Sequence, residues 1–175
     1  PLYSSAASDV YKRQGQKPVG DENPAHGTLV ASLAAGRGTS TGAGVIGSAP
    51  EANILAISIG FKGGQVSSDD QIALAVRYAV DQGANVINLS LTRETLDWPL
   101  SWDSAFLYAM DNDVVVVAAA GNRGSGTTSV GAPATMPGVL TVAGVDANGV
   151  ASFNASTQGI TIGVAAPSEG LVGVA

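Results

Sequence analysis

Apolar residues recur along this chain with two different periods, and the alternation of those periods predicts its elements. Leu29, Val30, Leu33 and Ala34 sit at helical spacing, and Gly36 follows where a C-terminal glycine stop would fall. A glycine-rich loop then leads to "ANILAISIG", Ala52–Gly60, a short apolar run that reads as a strand. Ser67–Gln82 reads as a second helix, with Ile72, Leu74, Ala75, Val76 and Ala79 on its apolar side and Gly83 stopping it. "ANVINLSL" is the next strand, and Ser101–Asn112 a third helix, opened by Pro99 and a serine cap. "VVVVAAAGN", "GVLTVAGVD" and "GITIGVAAP" complete the series as strands. Short, uniformly apolar strands separated by helices predict a doubly wound α/β domain, with a mostly parallel sheet and helices on both faces. Residues 1–23 are polar and aperiodic and are set apart as a tail or foreign sequence; residues 24–175 carry the domain.

Charge and composition narrow the partners. Eight basic residues against 14 acidic ones leave a net charge of −6, which argues against nucleic acid or an anionic membrane surface as the main partner. The absence of cysteine excludes disulfides and thiolate metal sites, and a single histidine, His26, excludes a multi-histidine metal site. No apolar run approaches the roughly 20 residues needed to span a bilayer. The chain begins at Pro1 without the charged-then-apolar order of an export signal, so both ends read as cut.

Two motifs invite the wrong chemistry. Gly42, Gly44 and Gly47 in "GAGVIG" fit the glycine spacing of dinucleotide-binding folds. That fingerprint needs a strand before it and a helix after it, so that the pyrophosphate sits on the helix N-terminus, and here the order is reversed. "GTS" at Gly38–Ser40 looks like a nucleophile motif, but it lies in a loop leading to a strand and reads as a flexible connection. Continued to Gly42 it reads "GTSTG" and has the G-x-S-x-G spacing, but a nucleophile elbow needs a strand before the serine and a helix after it, and here a helix precedes and a strand follows.

The ordered blocks are more specific. "HGTLVASLAAG", "GVIGSAPEANILAISI", "ANVINLSL", "VVVVAAAGN", "VGAPATMPGVLTVAGVD" and "ASFNAS", with "VAAP" near the end, together resemble the middle of a subtilisin-like serine peptidase (subtilase), over about Asn23–Ala175. The resemblance implies an incomplete subtilisin-like α/β fold and a serine-type endopeptidase acting on polypeptides. His26 matches the histidine that takes the serine proton and later protonates the leaving amine. Asn122 matches the asparagine whose amide donates to the tetrahedral oxyanion. Ser90, Leu91 and Thr92 would run beside the substrate backbone, Ala119, Ala120 and Gly121 would form the facing wall, and Gly131, Ala132 and Pro133 the base of the pocket.

The same resemblance defines what departs from it. Many members have two glycines after "SL", where this chain has Thr92 and Arg93. The expected aspartate, in a D-[ST]-G context tens of residues before the histidine, and the expected G-T-S nucleophile both lie outside the chain. The polypeptide is therefore expected to be inactive alone, and the strand that carries the aspartate in the family is expected to leave a sheet edge open. No cofactor is implied. Calcium occurs in the family, but no acidic cluster here forces a site. A propeptide in the full-length protein and a secreted or cell-surface location follow from the family alone. The alternative from another class is a non-catalytic α/β binding module, either a degenerate peptidase or a nucleotide binder.

Overall fold

The computed structural model describes residues 24–39, 41, 43–60, 66–126 and 128–174. Its elements run α1 (Pro24–Ala35), α2 (Ser68–Asp81), β1 (Val86–Leu89), α3 (Leu100–Asp111), β2 (Val115–Ala119), β3 (Leu140–Val145) and β4 (Ile162–Pro167), with a 3-10 turn at Arg123–Ser125. They fall into two compact units, Pro1–Ala75 with Val172–Ala175, and Val76–Leu171, the division lying within α2.

In the first unit, the loop after α1 returns to close the helix end. The N–H groups of Gly36, Ser48 and Ala49 donate to the carbonyls of Ser32, Leu33 and Ala34 at 2.9, 3.0 and 2.8 Å. Carbonyls that a helix end would otherwise leave unpaired are thereby satisfied. The return is close: a Cβ on Gly47 would lie 2.6 Å from the backbone of Ala34 and Ala35. Tight packing therefore accounts for this glycine of the nucleotide-like motif; Gly42 lies outside the described residues. At the far end of the chain, the Val174 N–H donates to Ser32 Oγ at 2.9 Å.

Ser67 caps α2, its hydroxyl accepting the Asp70 N–H at 3.1 Å and donating to Asp70 Oδ2 at 2.8 Å. The buried Gln71 amide accepts from the Gly60 N–H at 2.9 Å and donates to the carbonyls of Gly60 at 3.1 Å and Val66 at 2.9 Å. The expected strand at Ala52–Gly60 is not observed, for no described residue pairs with it in a ladder. An apolar run becomes a strand only where a neighbour takes its backbone groups. Here Gly60 gives both of its groups to a glutamine side chain.

The second unit holds a four-stranded, all-parallel sheet in the order β1-β2-β3-β4. Its core is made of small and branched residues, Ala118, Ala120, Val130 and Ala134, with Leu89, Val139, Ala143 and Ile162 packed against them. Helix α3 buries Trp102, Ala105, Phe106 and Ala109, a stripe at helical spacing, and the rings of Trp102 and Phe106 stack at 5.7 Å. The serine cap expected for α3 is absent. The helix begins at Leu100 with Pro99 at the cap position, so Ser101 already lies inside the first turn. The strands are also less covered than their apolar runs imply. Val86 in β1 is 59% exposed and, in β4, Gly163–Pro167 are all exposed, as befits strands at the two edges of the described sheet.

Candidate active site

His26 lies in the first turn of α1 and is exposed, and among the described residues a Cβ on the adjacent Gly27 would meet no atom within 4 Å. His26 belongs to the first unit; the other candidate residues belong to the second.

There, β2 runs out into Ala120, Gly121 and Asn122. Ala120 is almost wholly buried and its N–H donates to the Val142 carbonyl at 2.9 Å, extending the ladder by one bond. Gly121 takes φ +104, a conformation that glycine adopts without Cβ strain, and so turns the chain sharply out of the strand. Asn122 follows in extended backbone with its side chain exposed, and that side chain does not cap the 3-10 turn it precedes.

This exit loop is clamped against residues 152–157. Thr157 Oγ1 donates to the Ala120 carbonyl, Arg123 Nε donates to the Ser156 carbonyl at 2.6 Å, and the Gly124 N–H donates to the Asn154 carbonyl at 3.1 Å. The Arg123 guanidinium also stands 5.3 Å from the Phe153 ring. Sequence reading missed both Thr157 and Arg123. The only signal was a cation directly after Asn122 in a loop of small residues, which by itself has no direction.

The remaining wall and base are joined to each other. The Arg93 N–H donates to the Ala132 carbonyl at 2.7 Å, and the Ala132 N–H donates to the Thr95 carbonyl at 2.9 Å. The approach is so close that a Cβ on Gly131 would collide with the Arg93 carbonyl. Gly131, Ala132 and Pro133 are all buried, and the Ala132–Pro133 peptide is cis. Ser90 accepts a hydrogen bond from Asn88 Nδ2 at 2.8 Å, and Leu91 is half-buried beside it. Asn88 is exposed, on the same face of β1 as Val86 and opposite the buried Ile87. Thr92 completes the convergence: positions for a Cβ on Gly121 and on Gly131 lie 3.7 and 3.2 Å from its γ atoms. The structure thus brings Thr92, Gly121 and Gly131 together, with Ala119 and Ala120 leading into one side and Ala132 and Pro133 into the other. Among the described residues no group of three or more His, Cys, Asp or Glu could hold a metal ion, and no helix is long and apolar enough to cross a membrane.

A parallel α/β sheet with the segments of Thr92, Gly121 and Gly131 packed together beyond its strands is the setting of the candidate site. The family model of the subtilases matches residues 3–172, beginning inside the stretch that pattern alone set apart. The chain belongs to the subtilase family. It is 42% identical over 148 residues to the thermophilic serine proteinase of Bacillus sp. (strain AK1), covering 84% of this chain and 35% of that protein. It is 39% identical over 145 residues to thermitase of Thermoactinomyces vulgaris, covering 82% of this chain and 49% of that one. Among solved structures, sphericase superposes with a TM-score of 0.67 at 32% identity, covering 81% of this chain and 52% of that one. The patellamide maturation protease PatA gives 0.68 at 30% identity, over 85% and 54%. The chain therefore spans between about a third and a half of the length of these curated relatives, and its fold is an incomplete subtilisin-like α/β domain.

Proposed function

We propose that this chain is the part of a serine-type endopeptidase that carries its general base, its oxyanion donor and most of the pocket for the residue before the scissile bond. His26 takes the proton from a serine hydroxyl as it attacks the peptide carbonyl, then delivers it to the departing amine. The Asn122 amide donates to the oxygen that becomes negatively charged in the tetrahedral intermediate. Ser90–Thr92 lies along the substrate backbone, Ala119–Gly121 opposes it, and Gly131–Pro133 forms the floor. The aspartate that orients His26 and the serine nucleophile come from sequence outside this chain, so residues 1–175 alone do not turn over a peptide.

The observation that carries this reading is the convergence of Thr92, Gly121 and Gly131, three separate segments meeting where the family's order of blocks requires a pocket. The substrate class is polypeptide. Secretion is supported by the name of one relative, a minor extracellular protease of Bacillus subtilis, 37% identical over 132 residues.

The test is to read the gene outward through both ends, express the longer frame, and expose it to a serine-directed fluorophosphonate and a peptide substrate. Labelling and cleavage that both disappear in His26→Ala support the assignment. A complete frame without D-[ST]-G and G-T-S motifs, or cleavage that survives His26→Ala, sinks it.

A further inference from the structure

Thr92 is exposed, whereas Gly121 and Gly131 beside it are buried. A Cβ added to Gly121 would meet Thr92 Cγ2 at 3.7 Å, and one added to Gly131 would meet Thr92 Oγ1 at 3.2 Å. One threonine side chain therefore reaches both glycines, meeting Gly121 beside the Thr157 side chain and Gly131 beside the Arg93 carbonyl, while Thr92 itself stays exposed.

That side chain is also held in place. Threonine is stiff at χ1, and here its hydroxyl donates to the Arg93 carbonyl at 3.1 Å. The strip beneath it is fixed in turn by the Arg93–Ala132 and Ala132–Thr95 hydrogen bonds. The Arg93 side chain adds an anchor, its Nε donating to Thr95 Oγ1 at 3.4 Å and its guanidinium lying 5.8 Å from the ring of the buried Trp102. The charge of Arg93 is thus engaged with Thr95 and Trp102, and it is the bulk of Thr92 that meets anything entering between Ser90–Thr92 and Ala119–Gly121.

We infer that Thr92 is the specificity-determining residue of this site, restricting the residue before the scissile bond to small side chains such as Gly, Ala or Ser. The inference rests on the peptidase reading above and goes beyond it in naming the substrate class. The glycine that many members carry at this position would place no side-chain atoms beside Gly121 and Gly131, whereas Thr92 places two γ atoms there. Overfilling a well-packed site forces neighbours to shift, and Gly131 cannot retreat because its backbone already touches Arg93.

The experiment uses the full reading frame containing this chain and peptides identical except for Ala, Leu or Phe before the cleaved bond. The wild type should cleave the Ala peptide with kcat/KM at least about tenfold above the Phe peptide, the scale of discrimination an apolar pocket provides. Thr92→Gly should raise cleavage of Phe until the two lie within about threefold. Thr92→Val conserves the volume and should keep the wild-type ratio. Should Thr92→Gly fail to fold, Thr92→Ala removes the same two γ atoms while retaining a Cβ, and should move the ratio in the same direction. A wild type that prefers Phe, or a ratio unmoved by removal of the γ atoms, overturns the inference while leaving the peptidase reading standing. Failure of that reading has a different signature: no peptide is cleaved and no serine is labelled in any form, and the inference falls with it.

Discussion

The two regions that carry candidate chemistry are built in opposite ways. His26 is displayed on the first turn of a helix, where a Cβ on Gly27 would meet none of the described residues. The recess formed by Thr92, Gly121 and Gly131 is fixed from several sides, by backbone hydrogen bonds from Arg93 and Ala132, by the Thr157 hydroxyl on Ala120, and by buried alanines beneath. The helix offers a side chain whose value is its chemistry. The recess offers backbone whose value is its shape. Substitutions should therefore separate the two, touching activity without stability in the first region and both in the second.

The largest effect tests the first half of that contrast. In the full reading frame, His26→Ala should lower kcat/KM by a factor on the order of 10⁴ or more, the scale associated with losing the general base in this family. Its unfolding free energy should stay within about 0.5 kcal/mol of wild type, as for other exposed positions. Steady-state peptide hydrolysis and a denaturant melt on the same samples check both at once; a large loss of stability would break the comparison. Asn122→Ala should follow, lowering kcat by about 10²–10³ with little change in KM, if the amide serves the oxyanion as proposed and not the ground state. A change confined to KM would move Asn122 from the reaction to substrate binding.

Two glycines sharpen the contrast at equal chemical cost. Gly131→Ala places a methyl group into the Arg93 carbonyl and should destabilise the protein by about 3 kcal/mol, with loss of activity. Gly27→Ala adds the same methyl group where nothing among the described residues lies within 4 Å and removes a glycine from a helix, so it should stabilise by about 0.5–1 kcal/mol. Equal effects of the two substitutions on a denaturant midpoint would show that the regions are not built differently.

What the sequence made legible follows the same division. Helix and strand identities came from periodicity, because burial imposes it: the stripe of Trp102, Ala105, Phe106 and Ala109 and the apolar runs of β1 to β4 were all readable. Ala52–Gly60 was not, since an apolar run carries no information about whether a partner strand is present to pair with it. The serine cap of α3 failed for a related reason, as Pro99 and Ser101 both suit a helix start and only the backbone decides between them. Of the site, residue types were legible and tethers were not. Arg123 and Thr157 act through carbonyls of residues 29 or more positions away, and no local pattern announces such a contact.

The smallest expected effect lies far from both regions, in the turn after β3, and gives a baseline for them. Asp146 Oδ1 accepts the N–H groups of Asn148 at 2.8 Å and Val150 at 2.9 Å. These bonds, Val150 first and then Asn148, favour the charged carboxylate and hold its pKa below the ordinary value of 3.8. The unfolded chain therefore binds more protons than the folded one between the two pKa values. The resulting stability is present above the ordinary value and is lost as pH falls through the depressed one. The group remains partly open to solvent, so the contribution is small and has direction only. Asp146→Asn keeps an acceptor at the same position and removes the titration, so its stability should fall less steeply than wild type as pH is lowered from about 6 to about 2. Parallel stability curves for the two proteins over that range would mean that the turn is held by its backbone bonds, Asp146 N–H to the Val150 carbonyl and Gly149 N–H to the Asp146 carbonyl, without help from the charge. The turn would then be fixed by its backbone bonds alone, whereas the exit from β2 is held in part by the Thr157 hydroxyl on Ala120.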